Sequence, residues 1–283
     1  MPRRICFVHA HPDDEASKGA ATAARYVDEG AEVTLVTCTG GEAGEILNPS
    51  APTVAPEAMA SVRAAELEAA VAAIGFTRSH VLGFRDSGYH EDPADVPEDG
   101  FAREALDVAS CPLAEIVRRE RPHVVVTYPE DGGYPHPDHI MTYLVTMRAL
   151  ELAEDPAADL PGSPWRVPKV YASTAFPAER VQALHEAMLD HGHDSPFARW
   201  IDRQGDRPAP PPPDAWVEVG DWLERRDAAL LAHVTQIDPD GFWFDVPRDL
   251  ERKVWPYEGF LLLRSDVPVR SDEDDLFAGL DPE

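Results

Sequence analysis

The chain predicts an α/β fold: a doubly wound, mostly parallel sheet with a smaller C-terminal cap. Three observations lead there. Over residues 1–176, short apolar or β-branched runs alternate with segments of helical periodicity. Those runs are continuously apolar, the pattern of strands covered on both faces by crossover helices. The composition, 43% hydrophobic in 283 residues, is enough to build a core.

The elements follow in order. Residues 5–10 form the first strand, and residues 16–29 a helix. Residues 33–39 make strand two, and the Ala-, Glu- and Arg-rich stretch 56–74 a second helix. Strand three is 80–84, followed by a helix at 111–119. Strand four is 123–128, followed by a helix at 140–154, and strand five is 169–175. The character then changes over residues 177–283. Residues 177–192 read as a helix, but the run RPAPPPPD at 207–214 can form neither helix nor central strand and reads as a stiff extended connection. A strand at 215–219, a helix at 222–237 and an aromatic-rich segment at 242–260 come next. The acidic stretch 271–275 leads into an apolar anchor at 276–280.

Charge narrows the function. With 52 acidic against 25 basic residues the net charge is −27, which excludes partners bound by clustered Lys and Arg, nucleic acid and anionic membranes among them. No apolar run approaches the roughly 18 residues of a bilayer span. The apolar residues 5–10 are too few for the core of a signal peptide. Three cysteines, odd in number and without C-x-x-C spacing, read as reduced thiols in a cytoplasmic protein. Nothing in the sequence speaks to oligomeric state.

Two clusters carry the chemistry: His9-Ala10-His11-Pro12-Asp13-Asp14-Glu15 after strand one, and Tyr134-Pro135-His136-Pro137-Asp138-His139 after strand four. In the common doubly wound (Rossmann-like) orders, strands one and four are neighbours whose crossovers leave on opposite faces. Ligands bind at the crevice between their carboxyl ends. The clusters should therefore meet. What meets suits a catalytic divalent metal, which takes three protein ligands and keeps one position open. His11 and Asp14 can point at one ion from the strand-to-helix turn, and His139 supplies the third ligand from across the crevice. Asp13, facing away from Asp14, is free to act as general base on a water whose pKa the metal lowers from about 15.7 to about 7. His136, oriented by Asp138, would carry charge toward an oxyanion or protonate a leaving amine. That is a metal-assisted amide hydrolase. Zinc or iron(II) satisfies two imidazoles and a carboxylate.

Plainer readings compete. Acidic residues before a helix also serve its N-terminus. His9 reads as a packed or supporting residue, and Cys38 as a core thiol, with no His near it in sequence. Lys18, four residues after Asp14, would by default form an exposed helical ion pair. Glu66 and Glu68 look like a solvated helix face around Arg63. Glu42 and Glu45, following strand two at the same sheet edge, suit a sugar. A dinucleotide site would need G-x-G-x-x-G where the chain has His-Ala-His-Pro-Asp-Asp.

HAHPDDE at 9–15 with PHPDH at 135–139 resembles the LmbE-like (PIG-L) deacetylases, zinc enzymes that remove acyl groups from amino sugars. Within that family SKGAAT at 17–22, TGGEAGEILNP at 39–49, RDSG at 85–88, Trp255-Pro256 and DLFAG at 275–279 are similar to the mycothiol S-conjugate amidases. The resemblance spans essentially the whole chain; the prolines at 208–213 depart from it. It implies His11, Asp14 and His139 on zinc, Asp13 as base, His136 as charged acid or oxyanion stabiliser and Asp138 behind it. It also implies a Tyr134 hydroxyl, on a mobile loop, for the carbonyl oxygen. Lys18 would face the pocket and favour conjugates, while Arg63 with Asp86 would hold the sugar-inositol part. The implied reaction splits a mycothiol S-conjugate, a pseudo-disaccharide thiol conjugate, into a mercapturic acid and glucosaminyl-inositol. The rivals are an N-acetylglucosaminyl-inositol deacetylase and a paralogue acting on a mycothiol-linked natural-product intermediate.

Overall fold

Strand order decides where the clusters go. The computed structural model describes residues 2–90, 92–174, 176–204, 211–270 and 273–280. In chain order these hold β1 (Arg4–His9), α1 (Asp14–Ser17), α2 (Ala20–Asp28), β2 (Glu32–Thr39), α3 (Met59–Ile74), β3 (Arg78–Phe84), α4 (Leu106–Glu120), β4 (Val124–Thr127), α5 (Pro137–Glu154) and β5 (Lys169–Thr174). Then follow α6 (Ala178–Asp190), α7 (Ala198–Gln204), β6 (Ala215–Glu218), α8 (Leu223–Ala232), α9 (Arg248–Val254) and β7 (Tyr257–Ser265). They build one seven-stranded sheet, β3-β2-β1-β4-β5-β7-β6. The first five strands are parallel, and β7 runs antiparallel to both β5 and β6. β1 and β4 are neighbours, as the doubly wound order requires.

Successive strand residues point to opposite faces, so each strand feeds two cores. Phe7, Leu35, Val126 and Tyr171 face one, with Tyr26, Leu276 and Phe277. Val8, Val36, Val125 and Val170 face the other, against Leu113, Val145 and Leu150. The anchor expected at 276–280 thus puts Leu276 and Phe277 into the first core. Lys169, fully buried, ties the same segment down through Glu273 Oε2 (2.8 Å) and the carbonyl of Ala278 (2.9 Å).

Several boundaries differ from the expected ones. The single helix at 16–29 is two, broken at Gly19 (φ 90°), where a Cβ would sit 3.0 Å from the Phe7 ring. Only glycine holds that conformation at so close an approach. The helix expected at 222–237 stops at Ala232, because His233 and Thr235 leave it to bond inward. The helix expected at 111–119 starts earlier, at Leu106, and runs through Pro112. Of the proline stretch, residues 207–210 lie outside the described residues, and 211–213 have no regular structure. Among the described residues no helix is long and apolar enough to cross a membrane.

Beside β5 and β7, α6 and α9 close a third small core. Here Glu251, 2% exposed, takes two bonds from Arg226 (both 2.9 Å), one from Arg248 (2.7 Å) and one from Arg180 (2.9 Å). Burial alone would raise its pKa, but Arg226, helped by Arg180 and Arg248, holds it well below the ordinary range. Glu251→Gln is therefore expected to cost about 3–5 kcal/mol at neutral pH, since it strands buried guanidinium charge. The depressed carboxyl stabilises fully above its unfolded pKa of about 4.3 and loses that contribution as pH falls. Urea unfolding should show the gap between variant and parent beginning to narrow as pH falls below about 4.3 and narrowing further by about pH 3. A gap unchanged at that pH would refute the pairing.

Candidate active site

The turns after β1 and β4 come together as their topology requires. Asp14 Oδ2 lies 3.4 Å from His11 Nδ1 and 3.4 Å from His139 Nε2. One donor atom from each of the three residues, all buried, falls within 4.8 Å of the others. His139 Nδ1 donates to the carbonyl of Gly132 (3.1 Å), which leaves Nε2 as the lone-pair nitrogen. That nitrogen is buried with no hydrogen-bond partner. The Gly132-Gly133 turn is what lets the carbonyl reach: Gly132 has φ 76°, and a Cβ there would sit 2.8 Å from the Cβ of His139.

The surroundings ask for positive charge. His11 Nε2 meets Asp138 Oδ2 at 3.2 Å and Asp86 Oδ1 at 3.6 Å. Burial would lower the His11 pKa, but Asp138, Asp14 and Asp86 together raise it well above the ordinary value. Asp14 Oδ2 also accepts from the Tyr128 hydroxyl (2.7 Å) and the His11 N–H (3.0 Å), and its Oδ1 from Lys18 Nζ (2.5 Å). Burial opposes ionisation of Asp14, yet Lys18, His139 and His11 hold it well below the usual carboxylate range. An ionised carboxylate and an orphaned imidazole nitrogen fit a divalent cation of the zinc or iron(II) kind. His11 also belongs to a second group with His136 and Asp138, where Asp138 Oδ2 accepts from the Ser87 N–H (2.9 Å) and its Oδ1 is buried without a hydrogen-bond partner.

Asp13 sits beside this cluster in an unusual conformation, φ 108° and ψ −26°. A non-glycine residue held at positive φ carries strain that its surroundings must enforce. Its N–H donates to Glu15 Oε2 (2.9 Å), while His233 Nε2 donates to the other Glu15 oxygen (2.5 Å). Arg63 donates to Asp13 Oδ2 (2.8 Å), to the carbonyl of Gly41 (2.8 Å) and to that of Pro12. Burial raises the Asp13 pKa against the pull of Arg63. The guanidinium fits because residues 41 and 44 are glycines, where a Cβ would come within 2.6 Å of it.

Two expected pairings are corrected. Arg63 and Asp86 do not form one set: Arg63 is committed to Asp13 and two carbonyls, while Asp86 accepts from Ala43 (3.1 Å) and Gly88 (2.8 Å) and faces His11. Nor does the Asp138 carboxylate orient His136. Instead His136 caps α5, its Nδ1 accepting from the Asp138 N–H (3.2 Å), so that Nε2 carries the proton of the neutral ring. Burial, then His11 and His139, push His136 down to about 4, which makes it an uncharged donor at neutral pH and not the expected cation. Tyr134, 46% exposed, lays its ring 4.6 Å from that of His139. Burial of its hydroxyl, then Asp14 and Asp13, raise its pKa and keep it protonated.

Of the remaining candidates, Lys18 pairs with Asp14 at the site instead of at the surface. Glu42 accepts from the Asp86 N–H (3.0 Å), and Glu45 is exposed, its carbonyl accepting from Gln236 (3.0 Å). Glu68 is exposed, but Glu66 is buried under Thr235, accepting from its N–H and hydroxyl (both 2.7 Å). Cys38 is a core thiol pushed up to about 12 by burial. His9 is fully buried with neither ring nitrogen partnered. Sequence reasoning missed Tyr128, whose ring stacks on His139 at 4.3 Å, along with Ser87 and His233. Tyr128 was findable, since it follows β4 at the carboxyl edge. His233 lay hidden in an expected helix.

Residues 6–150 match the family model described as PIG-L, GlcNAc-PI de-N-acetylase. Mycothiol S-conjugate amidase of Streptomyces coelicolor is 46% identical over 286 residues, 98% of this chain and 97% of that protein. The 1D-myo-inositol 2-acetamido-2-deoxy-alpha-D-glucopyranoside deacetylase of Geodermatophilus obscurus is 43% identical over 291 residues, covering 98% of each. The N,N'-diacetylchitobiose deacetylase of Pyrococcus horikoshii shares the fold at a TM-score of 0.62 and 19% identity, over 92% of this chain and 84% of that one. Motif pair, sheet order and these relatives agree, and the chain belongs to the PIG-L family of deacetylases and amidases, hydrolases of carbon–nitrogen bonds.

Proposed function

We propose that the protein is a metal-dependent amidase acting on S-conjugates of mycothiol, releasing an S-substituted N-acetylcysteine and glucosaminyl-inositol. The chemistry rests on one observation above all, the orphaned His139 Nε2 facing Asp14 with Asp13 beside it. His11, Asp14 and His139 would hold the cation, zinc or iron(II). When bound, the cation would supply Lewis acidity, acidifying the attacking water and polarising the scissile carbonyl. Asp13 is the base: Arg63 occupies Oδ2, so Oδ1 takes the proton of the attacking water and returns it to the leaving amine. His136 Nε2–H and the Tyr134 hydroxyl donate to the carbonyl oxygen as charge develops on it. Asp138, together with Asp86, orients His11.

For the substrate, the S. coelicolor relative and Lys18, turned onto Asp14 at the site, support a conjugate over a bare acetyl group. Glu42 and Glu45, on the β2–β3 side, suit the hydroxyls of a pseudo-disaccharide. The free cysteines Cys6, Cys38 and Cys111 accord with a cytoplasmic setting. A second reading, the N-acetylglucosaminyl-inositol deacetylase, has the G. obscurus relative in its favour. Measuring kcat/KM on both substrates separates them. The conjugate should be preferred by about tenfold or more, a difference of about 1.4 kcal/mol in transition-state binding. Preference for the acetyl sugar would overturn the amidase reading.

A further inference from the structure

Asp13 is held from three sides, and one of those holds reaches it from far along the chain. We propose that His233 is a positioning residue for the general base: through Glu15 it pins the main chain at Asp13 and so keeps that carboxylate in place beside the metal cluster. The proposal deepens the reading of Asp13 as base and rests on it. His233 lies beyond residues 6–150, the part of the chain that matches the family model.

Backbone geometry argues first. At φ 108° and ψ −26° Asp13 lies well outside the left-handed well, which centres near a φ of about 57°. A non-glycine residue keeps such a conformation only where its surroundings over-determine it. The Asp13 carbonyl accepts from the N–H groups of Ala16 (3.1 Å) and Ser17 (3.2 Å), the opening turn of α1. Its Oδ2 accepts from Arg63 (2.8 Å), and its own N–H donates to Glu15 Oε2 (2.9 Å). Because φ is rotation about the N–Cα bond, the hydrogen bond at the amide is the one that fixes it. Rotation there would swing the carboxylate away.

The partner of Glu15 argues second. A helix cap would ask only for Glu15 Oε2, and a glutamate at the surface supplies that. Glu15 is instead 1% exposed, and its other oxygen accepts from His233 Nε2 (2.5 Å), 218 residues along the chain. A buried carboxylate without a partner is costly, so the imidazole is what keeps Glu15 inside and turned to the Asp13 amide. His233 is itself fully buried, and its Nδ1 has no hydrogen-bond partner, so the ring is placed for what Nε2 does. The segment that carries it is braced. Thr235 holds Glu66 from its N–H and hydroxyl (both 2.7 Å), Asn48 Nδ2 donates to the carbonyl of Val234 (2.9 Å), and Gln236 Nε2 to that of Glu45 (3.0 Å). Glu66 lies one turn after Arg63 on α3. One short segment therefore supports both the main-chain and the side-chain hold on Asp13.

The test compares His233→Gln with His233→Asn on whichever substrate, mycothiol S-conjugate or acetyl sugar, the unmodified enzyme cleaves faster. A Gln amide reaches as far as Nε2 and can donate to Glu15, whereas an Asn amide reaches only as far as Nδ1. The Gln variant should keep kcat within about threefold of the parent, and the Asn variant should lose about 10–100-fold, the cost of a misplaced catalytic group. KM and bound metal should stay nearly unchanged in both. In an Asp13→Asn background the difference between Gln and Asn should vanish, because a hold that works through the base has nothing left to act on. A merely structural His233 would keep its cost there. Should His233→Asn not fold, Glu15→Asp shortens the same bridge and carries the Asn expectations; parent-like kcat in it overturns the proposal. Equal kcat in folded Gln and Asn variants overturns it as well. So does metal lost in proportion to turnover, which would put the bridge on Asp14 instead, or an undiminished cost in the Asp13→Asn background. Full turnover in Asp13→Asn alone overturns the base reading beneath the proposal, and the proposal with it.

Discussion

Asp13→Asn is expected to lower kcat by about 10²–10⁴-fold, the span a positioned general base contributes. KM and bound metal should hardly change. The substitution is clean for structural reasons. Asn is among the few residues that tolerate positive φ, so the strained backbone at 108° is retained. Its amide oxygen can still accept from Arg63, and the N–H bond to Glu15 belongs to the main chain. Only the proton acceptor at Oδ1 is lost. Steady-state kinetics, metal analysis and a melting curve on one preparation check the prediction together. Full turnover in a folded, metallated variant would remove Asp13 from the mechanism.

Stripping the metal with a chelator is expected to reduce turnover by at least about 10³-fold, equivalent to several kcal/mol of transition-state stabilisation. One equivalent of zinc or iron(II) should restore it. The same experiment on His139→Ala should find neither metal nor rescue, because the imidazole with the orphaned nitrogen is gone. Gly132→Ala makes a subtler probe. It keeps every ligand but drives a methyl into the Cβ of His139 and displaces the carbonyl that holds Nδ1. Losing such a supporting contact weakens metal affinity by about 10–100-fold, so titration should show weaker binding with activity recovered at high metal. An Ala variant binding as tightly as the parent would mean the Gly132 carbonyl does not orient the ligand.

Much of this was legible in the residues alone, because the patterns concerned are local or topological. Continuous apolar runs between helical segments dictate a covered parallel sheet. That sheet, by placing β1 beside β4, brings His11 and Asp14 to His139 without any knowledge of side-chain packing. What tertiary structure alone decided are contacts with no signature in spacing. Arg63 turns inward to Asp13, and Asp138 meets His11 in place of its near neighbour His136. Glu66 is buried under Thr235, and His233 reaches back to Glu15. Each is a polar group taken out of water, and a buried polar group must find a partner wherever the packed chain offers one. Periodicity says which face of an element is inside. Only the assembled interior says which partner waits there.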